Sequence, residues 1–197
     1  MKAHFKSVVL LSLLPAFSLF ADDIVVKGQA PKFFSGTPTE EMKKMCRAEK
    51  NESDRLQVCA AVVTRYARTP SPKLPADAHV LAQELVNRHL KEPKRPETIF
   101  GIDDAYLTLG LHAIKSGDIK QAKDHLLKSD DTPPTPARRN FAPQMQLARE
   151  LAAKGEADTV RLYLEKTEKI WTAPEAADSL SRWKTELAKS KNPNFKP

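Results

Sequence analysis

The stretch YLTLGLHAIKSGDIKQAKDHLLKS, residues 106–129, indicates two short helices that fold back on each other. Its apolar residues recur at the three- and four-residue spacing of an α-helix. Ser116, Gly117 and Asp118 interrupt that spacing, and glycine adopts the left-handed conformation that ends a helix without a steric penalty. We therefore predict an antiparallel hairpin of two helices, at 104–115 and 118–129.

The first helix of this hairpin has two apolar faces, whereas a surface helix needs only one. One face consists of Tyr106, Leu109, Gly110 and Ala113, and the other consists of Leu107, Leu111 and Ile114. Such a helix should be covered on two sides. Two interpretations of the second face stay open. Either a helix at 75–91 covers it and closes the core, or it is accessible as the floor of a groove for a partner's side chains.

A second hairpin with the same spacing follows 38 residues further along the chain. Gly155 takes the position of Gly117, and the small residues Gly110 and Ala148 stand seven positions before the two glycines. The pattern in the first unit consists of Tyr106, Leu109, Gly110, Ala113, Gly117, Ala122, Leu126 and Pro134. The pattern in the second unit consists of Leu147, Ala148, Leu151, Gly155, Val160, Leu164 and Pro174.

With these residues, 103–136 resembles a tetratricopeptide repeat. Residues 141–174 resemble it more loosely, because Gln144 stands where the motif has an aromatic residue and Val160 where it has alanine. The resemblance implies stacked helix pairs with a concave groove that holds peptides. It assigns the packing between helices to Tyr106, Gly110, Gly117, Ala122, Leu126, Ala148, Gly155 and Leu164. Inserted residues around RRNF, between the two units, depart from regular stacking.

Proline divides the rest of the chain, which has fifteen prolines and six glycines, into further helical blocks. They lie at 38–50, 53–67, 75–91, 142–154, 156–171 and 174–189. We therefore predict an all-α fold: an antiparallel helix-hairpin array of about eight helices in one domain at 37–190. Leu180, Trp183 and Leu187 give the last helix a single apolar stripe, which is typical of a C-terminal capping helix. A flexible tail is expected at 191–197.

Two helix starts follow from local residue types. Asp103 is predicted to cap the helix that begins near residue 104, and Thr172 to Glu175 has the order of a capping box ahead of the last helix. Both predictions use the preference of short polar side chains for the unpaired N–H groups of a first turn.

The chain begins with the pattern of a secretory signal peptide. Lys2 and Lys6 precede an apolar run from Ser7 to Phe20, and Ala21 follows it. This run is shorter than the about 20 residues of a membrane span. We expect a signal peptide at 1–21, an extended arm at 22–36 and a location in the periplasm or outside the cell. An uncleaved N-terminal anchor is the alternative.

The two cysteines, Cys46 and Cys59, are predicted to form a disulfide. They are equidistant from a turn at 51–53, so they lie opposite each other in an antiparallel helix pair. Export also permits oxidation. The alternative is two buried thiols. Redox catalysis is disfavoured because the spacing is not C-x-x-C.

No catalytic or metal-binding motif occurs in the sequence, and no cofactor is expected. If the second face of helix 104–115 is open, a groove for a partner combines Leu107, Leu111, Ile114 and Met145 with the cations Lys115 and Arg149. Such a groove suits a peptide carboxylate. The alternative is that both cations are ordinary solvated residues.

These observations favour an exported, non-catalytic helical-repeat protein that binds another protein or a peptide. The formal charge of +7 is spread along helices and, in an exported chain, does not indicate nucleic acid. Two alternatives stay open: an exported helical enzyme whose site is not visible in the sequence, and a basic module that binds anionic envelope surfaces.

Overall fold

A computed structural model describes residues 40–190 and 193–195. The predicted signal peptide at 1–21 and arm at 22–36 lie outside the described residues. The fold is all-α, as predicted, and the described residues contain no strand. The helices are α1 (Glu40–Ala48), α2 (Glu52–Tyr66), α3 (Ala78–Lys91), α4 (Pro96–Ile99), α5 (Ile102–Ser116), α6 (Ile119–Asp130), α7 (Pro136–Asn140), α8 (Gln146–Ala153), α9 (Ala157–Thr167) and α10 (Ala176–Lys189). The eight longer helices correspond one to one with the predicted ones.

The α5–α6 hairpin turns at Gly117, whose φ of 84° is left-handed. The Asp118 N–H donates to the Ala113 carbonyl over 2.9 Å, and the Asp118 carboxylate accepts from the Gln121 N–H over 2.9 Å. One residue therefore closes α5 and caps α6. Gly155, with a φ of 89°, makes the equivalent turn between α8 and α9.

Helix α5 is the central element of the fold. It packs against α2, α3, α6 and α8 and against a 3₁₀ turn at Ser71–Lys73. Its single buried hydroxyl, on Thr108, donates to the Val63 carbonyl of α2 over 3.2 Å. A helix that is apolar on two faces thus has neighbours on several sides, which is what its sequence pattern predicts.

The predicted disulfide between Cys46 and Cys59 is present and buried, and it joins α1 to α2. A second link leads from α1 to the start of α3, where the Arg47 guanidinium pairs with the Asp77 carboxylate at 2.7 Å. The N-terminal helix is therefore held both covalently and by charge.

Both helix starts predicted from capping residues were wrong. Helix α5 begins after Gly101, whose φ is 77°, and a Cβ at that position would lie 3.1 Å from the Cβ of Ala60. The left-handed turn starts the helix one residue before Asp103, whose carboxylate instead contacts Arg138. Helix α10 begins at Ala176, and its N-cap Glu175 makes no side-chain capping bond.

The C-terminal end carries an aromatic stack. Leu180, Trp183 and Leu187 of α10 are buried, as the capping stripe predicts. The Trp183 ring stacks on Trp171, with centroids 5.5 Å apart, and Phe195 meets it edge-on at 6.1 Å. The expectation of a flexible tail is corrected for Phe195, which is 3% exposed. Burial of a large aromatic surface holds this part of the tail in place.

Candidate functional site

A cleft of about 600 Å³ lies where the first and second hairpins meet the 3₁₀ turn. We call it the α5–α8 cleft. It is lined by Ser71, Pro72, Ile114, Lys115, Glu150, Ala153 and Lys154. Ile114 and Lys115 come from the end of α5, whereas the last three residues come from α8 and its C-terminal turn. The cleft is thus a feature of the junction between hairpins.

Two charged side chains of the cleft are held by hydrogen bonds to the turn. The Lys115 ammonium donates to the Leu74 carbonyl over 2.6 Å. One oxygen of Glu150, Oε1, accepts both from the Ser71 N–H at 2.9 Å and from the Gln146 amide at 2.8 Å. Because these bonds orient the groups before any ligand arrives, less conformational entropy is lost on binding.

Lys154 completes the polar lining. It is exposed and makes no ion pair with any residue that the structure describes. The Oε2 atom of Glu150 is likewise not used by the two bonds that hold Oε1. The cleft therefore offers two ammonium groups and one carboxylate oxygen, beside the apolar side chains of Ile114 and Ala153.

The predicted groove residues separate into two groups in the structure. Ile114 and Lys115 line the cleft, although Ile114 is only 6% exposed. Leu107, Leu111 and Met145 are buried in the core and are not available as an open floor. This correction follows from the packing of α3, α8 and the 3₁₀ turn on α5. Arg149 is half-buried and donates to the Gln146 side chain over 3.3 Å.

Sequence reasoning missed Glu150, Lys154, Ser71 and Pro72 as lining residues. The available signal was the proline-rich segment at 69–75, which was interpreted only as a break between helices. Its 3₁₀ turn folds over the end of α5 and reaches α8 through Ser71. The periodicity of a sequence predicts helices but not which distant residues meet, so it could not reveal the contact between residues 71 and 150.

Among the residues assigned to packing between helices, Gly110 lies where the two hairpins touch. A Cβ on Gly110 would lie 2.2 Å from Cδ2 of Leu147, so α5 and α8 approach closely there. Tyr106 is half-buried, and its ring centroid is 6.0 Å from that of His125 on α6. Gly117 and Gly155 are exposed turn residues. The fully buried members of the set are Ala122, Leu126, Ala148 and Leu164.

An ionic cluster joins the same two hairpins away from the cleft. Arg138 of α7 donates to Asp130 at 2.5 Å and to both oxygens of Thr132 at 2.8 and 2.9 Å, and it lies 3.4 Å from Asp103. Asp130 also accepts from the Thr167 hydroxyl of α9 over 2.7 Å. Since every contact is between elements of the fold, the cluster has the properties of a structural junction.

The carboxyl groups of this region have raised pKa values. Burial, followed by the charge of Asp103, raises the pKa of Asp104 to about 8. Burial raises the pKa of Asp130 to about 6, although Thr167 and Arg138 oppose the shift. Raised pKa values occur at catalytic sites as well as in structural networks. Here none of these groups lines the α5–α8 cleft.

No group of three or more His, Cys, Asp or Glu side chains among residues 40–190 and 193–195 is arranged to hold a metal ion. Within the same residues, no helix is both long enough and apolar enough to cross a membrane.

No protein family matches the chain, and neither a curated protein nor a solved structure matches it. Its function therefore has to be argued from the geometry of the cleft.

Proposed function

We propose that this protein is an exported, non-catalytic helical-repeat protein that binds a peptide segment of another protein in the α5–α8 cleft. The observation that supports the proposal is the junction of two hairpins, where two lysines border an apolar surface in a cleft of about 600 Å³.

The charges of the cleft favour an acidic group on the ligand. Lys115 and Lys154 each present an ammonium group, while the one carboxylate, Glu150, already accepts two hydrogen bonds. A terminal carboxylate could bind both ammonium groups, and the N–H of the same residue could donate to Glu150 Oε2. A neighbouring apolar side chain would then contact Ile114 and Ala153. We therefore propose a peptide with a free C-terminal carboxylate.

The helix-pair resemblance supports only the presence of two consecutive units. Residues 103–136 and 141–174 form consecutive hairpins with left-handed glycines at 117 and 155, whereas Leu107, Leu111 and Met145, expected in a concave groove, are buried. The proposed site is therefore the cleft at the hairpin junction. The buried disulfide is consistent with export, since such bonds persist in oxidising compartments.

The test is fluorescence anisotropy with the purified full chain and a library of short labelled peptides, each made with a free carboxylate and as the C-terminal amide. We expect a subset of peptides to bind, and binding to weaken at least about ten-fold on amidation, which corresponds to roughly 1.4 kcal/mol. The double variant Lys115→Ala/Lys154→Ala should weaken binding by a similar factor.

A matched control is Lys120→Ala/Lys169→Ala, which removes the same charge from exposed positions outside the cleft lining. This variant should bind like the wild type. The proposal fails if no peptide of the library binds, if amides bind as tightly as acids to the wild type, or if the control variant loses as much affinity as the cleft variant.

Binding to anionic envelope surfaces is a second candidate, and the formal charge of +7 favours it. It predicts that both double variants lose affinity for vesicles containing anionic lipid equally, and that binding fades steeply as salt rises. The third candidate, an exported enzyme, has the raised pKa values of Asp104 and Asp130 as its support, and these groups lie outside the cleft.

A further inference from the structure

Asp104, in the first turn of α5, is a buried carboxyl group without a cation of its own. The residue is 9% exposed, and its carboxylate forms no ion pair with any residue that the structure describes. An unpaired carboxylate in such a place is unfavourable, because burial removes the water that stabilises its charge. The neutral acid does not carry this cost.

The neighbouring residue, Asp103, is placed as an anion. Its carboxylate lies 3.4 Å from Nε of Arg138 and accepts hydrogen bonds from backbone N–H groups at the start of α5. A nearby cation and hydrogen bonds both favour the charged form of a carboxyl group. Of the two adjacent carboxyl groups, Asp103 is therefore the one that ionises first, and its charge then opposes ionisation of Asp104.

Arg138 does not neutralise Asp104, because it is committed to two other carboxylates. Besides its contact with Asp103, its guanidinium pairs with Asp130 at 2.5 Å. Three carboxyl groups thus meet around the start of α5 and the end of α6, with one guanidinium bound among them. A proton on Asp104 removes part of the excess negative charge, and Asp104 is the member of the three that has no cation.

The other groups that act on the Asp104 carboxyl come from α2 and from the residues just after it. The Thr64 hydroxyl of α2 donates to the carboxylate, and Arg68 favours the charged form from an exposed position. On the other elements that pack on α5, charged and titratable side chains are bound to different partners: His89 to Thr98, Asp130 to Arg138, and Glu150 to Ser71.

We infer that Asp104 holds a proton inside the folded chain at neutral pH, and that losing this proton in alkaline solution weakens the packing of α5 on α2. The protonated group keeps its bond to α2, because a hydroxyl such as that of Thr64 can accept from the acid as well as donate to the carboxylate. The ionised group instead adds a charge beside Asp103 in a buried place. This inference does not involve the α5–α8 cleft and is independent of the proposed function.

The direction of the pH effect follows from linkage. Burial, followed by the charge of Asp103, raises the pKa of Asp104 to about 8, whereas an aspartate in an unfolded chain has a pKa of about 3.9. A carboxyl with a raised folded-state pKa stabilises the fold below the unfolded value, and this contribution is lost as the pH rises through the folded value. The unfolding equilibrium constant should therefore increase about ten-fold between pH 7 and pH 9 through Asp104 alone.

Urea unfolding of the full chain at pH 7 and pH 9 tests the inference. The wild type should show the ten-fold increase, whereas Asp104→Asn should change by less than about two-fold, because an amide resembles the neutral acid and does not ionise. Asp178→Asn is the matched control, since it removes a carboxylate from an exposed position on α10. It should respond to pH as the wild type does.

A direct count of protons supports or overturns the same inference without relying on the stability of a variant. Aspartate carboxyl carbons of the folded wild type, followed by carbon-13 NMR, should include one that titrates near pH 8. Unfolding at pH 7 should also release about 0.9 proton more from the wild type than from Asp104→Asn. The inference is overturned if no carboxyl carbon titrates above pH 7, or if Asp104→Asn folds and responds to pH as the wild type does.

Discussion

Gly110 shows how a single missing side chain allows two hairpins to meet. A Cβ on this residue would lie 2.2 Å from Cδ2 and 3.2 Å from Cδ1 of Leu147. Leu147 is 1% exposed, so it has little space into which it can move. Gly117 differs, because nothing lies within 4 Å of its Cβ position and its requirement for glycine comes from its left-handed backbone.

The effect of Gly110→Ala on stability should therefore depend on the residue at position 147: destabilising beside leucine and stabilising beside alanine. In the wild type, overpacking of roughly 1–3 kcal/mol outweighs the gain of about 1 kcal/mol in helix propensity, so the variant is less stable. In a Leu147→Ala background the clash is gone, and the same substitution should stabilise the protein by up to about 1 kcal/mol. Urea unfolding of the four proteins measures both effects, and an equal cost in both backgrounds would refute the packing argument.

Helix α7 was not predicted, yet it supplies Arg138, which pairs with Asp130, the carboxylate that also accepts from Thr167 of the second hairpin. The sequence around RRNF departs from regular stacking of the two units, and the contacts that its residues make depend on partners distant in sequence. Arg138 reaches Asp103 at the start of α5 and Asp130 at the end of α6. Its neighbour Arg139 is exposed, although the two residues are identical in type. Only the folded arrangement distinguishes them.

Arg138→Met should destabilise the protein by about 3 kcal/mol near pH 8, because it leaves the buried Asp130 carboxylate without its cation. The pKa of Asp130, about 6 in the wild type, rises further in the variant. A carboxyl with a raised folded-state pKa stabilises the fold below the unfolded pKa, and that contribution is lost as pH rises through the folded value. The deficit should therefore shrink towards about pH 5.

Denaturant unfolding across this pH range measures the effect, with Arg139→Met as the control of equal charge change. A deficit that is constant with pH, or one shared by Arg139→Met, would show that Asp130 is not the group left unpaired.

At the scale of helices, periodicity located the elements but not their ends. All eight longer helices were found because each buries a stripe of apolar residues, which leaves a period in the sequence. The start at Asp103 was wrong because tertiary contacts at Gly101 and Arg138 outweighed the local capping preference. At the start predicted from Thr172, the Thr172 N–H instead donates to the Arg139 carbonyl over 3.0 Å, and the helix begins at Ala176. The short helices α4 and α7 contain one turn each, too little for a period to appear.

Across the whole molecule, the disulfide is the covalent constraint that the sequence revealed most directly. Cys46→Ala/Cys59→Ala should lower the free energy of unfolding by about 3 kcal/mol, the value for a closed loop of roughly 15 residues in the chain-entropy model. Thermal unfolding followed by circular dichroism, with and without a reductant, provides the measurement. The reductant should destabilise the wild type alone; an equal loss in the double variant would contradict the prediction.

The candidate site was predictable only in part at this scale. Ile114 and Lys115 were identified because α5 carries a second apolar face that ends in a cation. Leu107 and Leu111 lie on the same apolar face of α5 and are buried, as Ile114 largely is, so the helical period does not separate a residue that lines the cleft from one in the core. Glu150 and Ser71 come together across 79 residues of sequence, and no local rule connects them.

The aromatic stack at the C-terminal end has an optical consequence. Trp171 and Trp183 are the two tryptophans of the chain, and both belong to that stack. Tryptophan fluorescence therefore reports on the packing of α10 and not on conformational changes near Lys115. Unfolding curves followed by emission and by the far-ultraviolet signal will coincide only when the last helix unfolds together with the other helices among residues 40–190, so their comparison measures the cooperativity of the array.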